Sequence, residues 1–326
     1  MHVLLTIASI FLIVLGSSLL LRVLRLMKGW PQRRIVQLCV LIMPSMVFGL
    51  GIGGLHHFLG RICLMGAPLW DIFLGAAVPL AMSIVALGAV GVGVVRLFFM
   101  RRVVARYALL LNSHLQERVN TLGLRLHAAP TRIFLSPYNK PLAFTSGIFR
   151  PTIVLSTWML EHLDERELEA VLIHELEHVA RHDYLVVWLS LVLRDAFFYF
   201  PTCHTAYRQL QHEKELACDD LVVAITQRPL ALASALAKVW QNAVGEPPFA
   251  PFGVAQPLVK GEEVVYGRIE RLLSCSSRKP TGSSDKNSFN SKALVTGIFF
   301  SVQSINVIIV LALTGCNPLL LLEKLL

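Results

Sequence analysis

The stretch Asp164–Asp183, DERELEAVLIHELEHVARHD, decides how the rest of the chain is read. At its centre His174-Glu175-Leu176-Glu177-His178 forms an H-E-x-x-H pattern. On an α-helix residues i and i+4 share a face, about 5–6 Å apart at Cβ, so two imidazole nitrogens can point at one metal ion. Glu175 stands one residue round the helix, where its carboxylate can reach a metal-activated water rather than the metal. The segment itself reads as a helix. Asp164 is a candidate N-cap with Glu167 three residues on, a capping box, and acidic residues crowd the first turn. Leu168, Val171, Leu172, Leu176 and Val179 then make an apolar stripe that buries its back.

Composition bounds what surrounds that helix. With 326 residues, 55% of them hydrophobic, and a mean hydropathy of +0.61, the chain is a membrane protein with room for one soluble domain. Cys39, Cys63, Cys203, Cys218, Cys275 and Cys316 show no C-x-x-C spacing, so neither a thiolate metal site nor a disulfide framework is expected. The net charge of +9 has its excess beside apolar runs, which points to membrane topology and not to direct contact with nucleic acid.

Val3–Leu21 carries no charge and is followed by Arg22, Arg25 and Lys28, an order that retains it as a span with its C-terminal end in the cytoplasm. Further spans are expected at about Ile35–Leu55 and Ile72–Val95, the latter followed by Arg96, Arg101, Arg102 and Arg106. The positive-inside rule puts the N-terminus outside and everything after Arg96 in the cytoplasm, until Ala293–Leu313 returns the chain to the outside. The division is therefore residues 1–98, a membrane domain of three transmembrane helices; 99–273, a cytoplasmic domain; 274–292, a flexible linker; and 293–326, a fourth transmembrane helix with a short external tail. Gly49, Gly51, Gly53, Gly54, Gly88, Gly91 and Gly93 suggest close helix packing. Leu313-Thr314-Gly315-Cys316 matches a lipoprotein box only by coincidence, being far from the N-terminus.

Within the cytoplasmic domain, Arg102–Leu122 reads as an amphipathic helix. Thr131–Ser136, Leu142–Phe149 and Thr152–Ser156 are β-rich, with a turn at Arg150-Pro151. Tyr184–Phe200 is apolar save Arg194 and Asp195 and reads as a buried or membrane-surface helix. Helices are expected at Thr205–Ala224, Leu230–Ala243 and Gly261–Leu273.

A catalytic zinc needs a third protein ligand. Downstream stand His182, His204, His212, Glu213 and Glu215. His182 lies one more turn along the motif helix, too far to complete a tetrahedron. Glu215 is the strongest choice and Glu213 the fallback. Glu215 and Asp219 share a face at i, i+4, so one can ligate while the other hydrogen-bonds the second nitrogen of a ligand histidine.

These residues carry a family likeness. HELEHVARHD, then Phe200-Pro201, then Lys214–Asp219 (KELACD), with AFTSGIFRPTIVLS at Ala143–Ser156, resemble the BlaR/MecR-type membrane zinc metalloproteases. The layout of three spans, cytoplasmic domain, linker and fourth span is similar too. The resemblance implies an α-helical protein of about four transmembrane helices in a bacterial cytoplasmic membrane, with an α+β gluzincin-like domain. It implies zinc on His174, His178 and Glu215, with Glu175 as general base and Asp219 hydrogen-bonding a ligand histidine. It further implies a protein or peptide substrate, a cytoplasmic transcriptional repressor cut in signal transduction. One departure stands out: the β-lactam receptors carry a penicillin-binding sensor after the fourth span, and no S-x-x-K follows here. Sensing would then fall to a separate protein. The linker is a candidate self-cleavage site, with a plain tether as the simpler reading.

The chemistry expected is metal-assisted peptide hydrolysis, Glu175 taking a proton from water and passing it to the leaving amine. A substrate strand would pair with the edge formed by Ala143–Ser156. Tyr207 and Arg208 are nearby in the chain, but nothing marks either as an oxyanion donor. An intramembrane protease is excluded because Glu161–Glu169 and Arg181–Asp183 flank the motif with charge. A non-catalytic, zinc-stabilised scaffold is the alternative class, and it would be indifferent to Glu175→Gln.

Overall fold

The computed structural model describes residues 2–24, 30–46, 77–107, 113–147, 150–242, 262–276 and 297–309. In chain order the elements are α1 (His2–Leu24), α2 (Trp30–Ile42), α3 (Val78–Tyr107), α4 (Ser113–Arg125), β1 (Arg132–Ser136), β2 (Ala143–Ser146) and β3 (Thr152–Ser156). There follow α5 (Thr157–His162), α6 (Glu165–Ala180), α7 (Asp183–Ala196), α8 (Pro201–Thr226), α9 (Pro229–Asn242), α10 (Glu262–Ser276) and the short apolar α11 (Gly297–Ile309). Two compact units result: Met1–Val92 with Val192–Leu210 and Ser284–Leu326, and Gly93–Leu191 with Gln211–Ser283.

α1 over Ile7–Leu24, in the first unit, is long and apolar enough to cross a membrane, and so is α3 over Leu80–Arg102, of which the part up to Val92 belongs to that unit. Ile7, Phe11, Leu15 and Leu19 are exposed on α1, an apolar surface suited to lipid. Of the second expected span, the described part is α2 and a 3-10 turn at Met43–Met46; residues 47–55 lie outside the described residues. The expected loop 56–70, most of the linker and the external tail also lie outside them. α1 meets α11 closely, since a Cβ on Gly16 would stand 2.8 Å from Val302 Cγ2. Ser9 Oγ donates to Asn306 Oδ1 across the same contact, and both residues are buried. The tight packing expected at Gly88 and Gly91 does not occur among the described residues, where an added Cβ meets nothing within 4 Å.

The second unit is built on a three-stranded sheet of order β1-β3-β2. β1 runs parallel to β3, Phe134 opposite Val154, while β2 is antiparallel to β3, Phe144 opposite Val154. Gly147 leaves β2 at φ +101, and a Cβ there would lie 2.4 Å from the Arg150 carbonyl oxygen, so the chain reverses where only glycine fits. This topology corrects the expected edge: β3 is the central strand, and β2 is the strand of the Ala143–Ser156 pair that lies at an edge of the sheet among the described residues. Of the helix expected at Arg102–Leu122, Arg102–Tyr107 lie in α3 and Ser113–Leu122 in α4, whose Leu115 and Val119 turn into the core, while residues 108–112 lie outside the described residues.

The core gathers the apolar stripe of α6 against the sheet, α4 and α9. Leu168, Val171, Leu172 and Leu176 pack with Ile133, Leu135, Ile153, Leu155, Leu232 and Leu236. Each such side chain removed from water contributes about 1.5–3 kcal/mol. The start of α6 is fixed as its sequence requires. Asp164 accepts from the backbone N–H of Arg166 and Glu167 at 2.8 Å, and Glu167 accepts from the Asp164 N–H at 2.8 Å. Glu167 is itself buried, accepting from Ser234 Oγ at 2.5 Å and Lys238 Nζ at 2.7 Å on α9. One carboxylate thus caps α6 and ties it to α9. Glu167→Ala is expected to cost about 2–3 kcal/mol, more than a simple cap, because it strands Ser234 and the Asp164 N–H together. Urea titration of the purified protein checks it, and a loss under about 0.5 kcal/mol would show that water replaces the carboxylate.

Candidate metal centre

The motif helix ends abruptly, and that ending matters. α6 stops at Ala180, Arg181 takes a helical cap conformation, and His182 adopts φ +55 before α7 begins at Asp183. His182 is therefore not on the motif helix, which corrects its expected placement. The reversal instead folds Asp183 back onto α6, where its Oδ2 lies 2.9 Å from His178 Nδ1.

His174 and His178 stand one turn apart with ring centroids 4.9 Å apart and planes perpendicular. His174 is fully buried, with Nδ1 3.2 Å from Asp219 Oδ1 and Nε2 3.3 Å from Glu215 Oε2. His178 Nε2 lies 3.8 Å from the other Glu215 oxygen. Each imidazole thus faces a carboxylate with its Nδ1 and turns Nε2 toward the same glutamate. Ligand atoms from His174, His178 and Glu215 all lie within 4.8 Å of one another. Glu215 keeps 14% of its side chain exposed, so the cluster has one side open to solvent. α8 brings both acidic residues because Glu215 and Asp219 are one helical turn apart.

The three carboxylates that face the two histidines each have a cation. Asp219 is gripped by Arg268 from α10, Asp183 Oδ2 lies 3.4 Å from Arg181 NH2, and Glu215 Oε1 lies 3.2 Å from Lys214 Nζ. Burial works against ionising Glu215, but Lys214 and the hydrogen bond from His174 outweigh it and hold the carboxyl well below the usual range. Burial opposes ionisation of Asp219 too, yet Arg268 and His174 bring its pKa down to about 2. Cys218 is buried beside His178, its Sγ 3.3 Å from Nδ1, and burial pushes the thiol well up.

Glu175 is buried with its carboxylate turned to the sheet. Thr145 Oγ1 on β2 lies 2.7 Å from Glu175 Oε2 and 3.1 Å from the Glu175 carbonyl oxygen, so its hydroxyl is placed to donate to either. The next residue on that strand, Ser146, is hydrogen-bonded to Tyr184. The other residues considered lie elsewhere. Glu213 is in neither of the two groups placed to hold a metal among the described residues, His174–His178–Glu215 and His178–Asp183–Cys218. His204 bonds the Phe198 carbonyl, and Tyr207 lies under the Arg194 guanidinium, both in the first unit. Thr145, Asp183 and Arg268 were not singled out from the sequence. Only Asp183 left a local trace, as the acidic residue closing the motif stretch.

The family model described as BlaR1 peptidase M56 matches residues 72–268, more than half of the chain, and includes every residue of the cluster. The methicillin resistance mecR1 protein of Staphylococcus aureus is 28% identical over 120 residues, 36% of this chain and 20% of that protein. A protease HtpX homolog of Acaryochloris marina is 25% identical over 187 residues, 45% of this chain and 64% of that one. Another, from Aquifex aeolicus, is 32% identical over 84 residues, 25% of this chain and 28% of its own length. The chain thus matches a fifth of the mecR1 protein and less than two-thirds of these HtpX homologs. On the extent of the family match, this chain belongs to the BlaR1 peptidase M56 family.

Proposed function

We propose that the chain is an integral-membrane, zinc-dependent endopeptidase of gluzincin type, with zinc held by His174, His178 and Glu215. The observation that carries this is the shared direction of the two Nε2 atoms, each backed at Nδ1 by a carboxylate. With zinc bonds of about 2.0–2.1 Å in a tetrahedron, neighbouring ligand atoms stand about 3.3 Å apart. His174 Nε2 stands 3.3 Å from Oε2 of Glu215 and His178 Nε2 stands 3.8 Å from its Oε1, so the carboxylate faces both nitrogens at close to that spacing, one oxygen to each.

Asp219 and Asp183 accept the Nδ1–H of His174 and His178, which fixes the tautomer that leaves each Nε2 lone pair free. A bound zinc would supply Lewis acidity and a water acidified to a pKa of about 7. Glu175 takes a proton from the attacking water and returns it to the leaving amine, its carboxylate oriented by the Thr145 hydroxyl. β2 offers its outer N–H and C=O groups to an extended peptide alongside that base. The membrane helices α1 and α3 hold the enzyme at a bilayer, with the catalytic unit on the cytoplasmic side. By the likeness to BlaR/MecR-type proteins, the substrate is a cytoplasmic repressor.

The direct test is zinc content and peptide cleavage by detergent-solubilised protein, with Glu215→Ala beside the wild type. One zinc per wild-type chain, lost together with cleavage in the variant, is the expected result; a wild type that takes up no zinc sinks the reading. Zinc uptake should also depend on pH. Burial alone would lower the pKa of metal-free His174, but hydrogen bonds with Asp219 and Glu215 raise it to about 9. A folded pKa above the ordinary 6.5 stabilises the metal-free fold below pH 6.5 and ceases to do so as pH rises through 9. Zinc must displace that proton, so its affinity is expected to rise about tenfold per pH unit between 6.5 and 9. Chelator competition at three pH values measures the slope, and a flat response would remove His174 from the ligand set.

A further inference from the structure

We propose that Arg268, on α10, is a positioning residue for the metal centre, acting chiefly through Asp219. The inference rests on the zinc reading above and names a residue that touches neither the metal nor the substrate. Among the described residues Arg268 is the bulkiest of the fully buried side chains, 2% exposed. Its Nε and NH2 donate to the two oxygens of Asp219, each at 2.7 Å, and NH1 lies 3.3 Å from Glu215 Oε2. One turn on, Arg271 donates to Asp220 Oδ2 at 2.8 Å, so α10 clasps the Leu216–Asp220 segment of α8 with two guanidinium groups.

The geometry explains why an arginine stands here. Asp219 Oδ1 receives Arg268 and also faces His174 Nδ1 at 3.2 Å. A carboxylate held at both oxygens by a planar fork cannot turn about its own axis, so the imidazole it orients cannot turn either. His174 Nε2 is therefore aimed by a chain of two contacts that begins on another helix. The guanidinium also separates two buried carboxylates, Glu215 and Asp219, whose repulsion would otherwise splay the ligand helix. Lysine would keep the charge and lose the fork.

The test uses the full-length protein in detergent and reads zinc affinity by chelator competition and the visible spectrum of the cobalt(II)-loaded form. The spectrum reports ligand geometry, which a merely structural arginine would leave unchanged. Arg268→Met is expected to weaken zinc binding about 10–100-fold and to alter the cobalt bands. Arg268→Lys should recover part of the affinity without restoring the spectrum. Combined with Asp219→Asn, Arg268→Met should cost less than the sum of the two single losses, because both act on one contact chain. Wild-type affinity and spectrum in Arg268→Met, or full additivity in the double variant, would overturn the proposal. If Arg268→Met does not fold, Arg268→Lys decides: a wild-type spectrum there reduces the arginine to a charge and rejects positioning. A wild type that binds no zinc overturns both readings, whereas normal zinc uptake with indifferent Arg268 variants overturns only this one.

Discussion

Glu175→Gln is expected to retain one zinc per chain while peptide cleavage falls about 10²–10⁴-fold or below detection. The amide has the size of the carboxylate and can still accept from Thr145 Oγ1, now 2.7 Å from Glu175 Oε2, so the packing around α6 is preserved. What it cannot do is take a proton from water. Because Glu175 is not among the metal-capable cluster of His174, His178 and Glu215, metal content should not follow the activity. Measuring both in one preparation separates chemistry from metal loading. Undiminished cleavage in Glu175→Gln would remove the residue as general base. Zinc binding with no Glu175-dependent cleavage even in the wild type would move the protein to a scaffold, or to an enzyme awaiting its stimulus.

The second large effect is thermodynamic. Asp219→Ala takes from buried Arg268 the two hydrogen bonds that its Nε and NH2 make to that carboxylate. Removing one partner of a buried ion pair typically costs about 3–5 kcal/mol, since the other charge stays in a poorly polarisable interior. The same change releases His174 from its acceptor, so zinc affinity should also drop about 10–100-fold. The direction with pH follows from the depressed carboxyl. A folded pKa of about 2 against an ordinary 3.8 means the stabilisation is complete above pH 4 and disappears as pH falls through about 2. Asp219's own titration therefore adds a constant to the gap between wild type and variant above pH 5, whereas the gap should narrow above pH 6.5 as the proton that Asp219 helps hold on His174 is lost, in urea titrations of the metal-free protein. A gap under about 1 kcal/mol would show that Glu215 turns to accept the stranded guanidinium.

What could be read without coordinates was whatever the chain encodes over one or two helical turns. The capping box of α6, its apolar stripe and the H-E-x-x-H face depend on spacings of three and four residues, and the helix period alone aligns them. Glu215 and Asp219 pair by the same rule, and long uncharged runs announced α1 and α3. The tertiary structure decided the contacts that cross large separations. Thr145 reaches Glu175 over 30 residues and Arg268 reaches Asp219 over 49. No period links such pairs, because they meet only when separate elements dock. The free edge of the sheet was decided the same way. β1 lies parallel beside β3, which a hairpin reading of Ala143–Ser156 cannot foresee, and that pairing leaves β2 outward next to the base. Asp183 stands between the two cases. It is only five residues from His178, but it reaches the ring because His182 takes a left-handed turn, a conformation that L side chains adopt seldom and no local pattern there required. Local spacing set which residues could meet a metal; docking set which groups hold them in place.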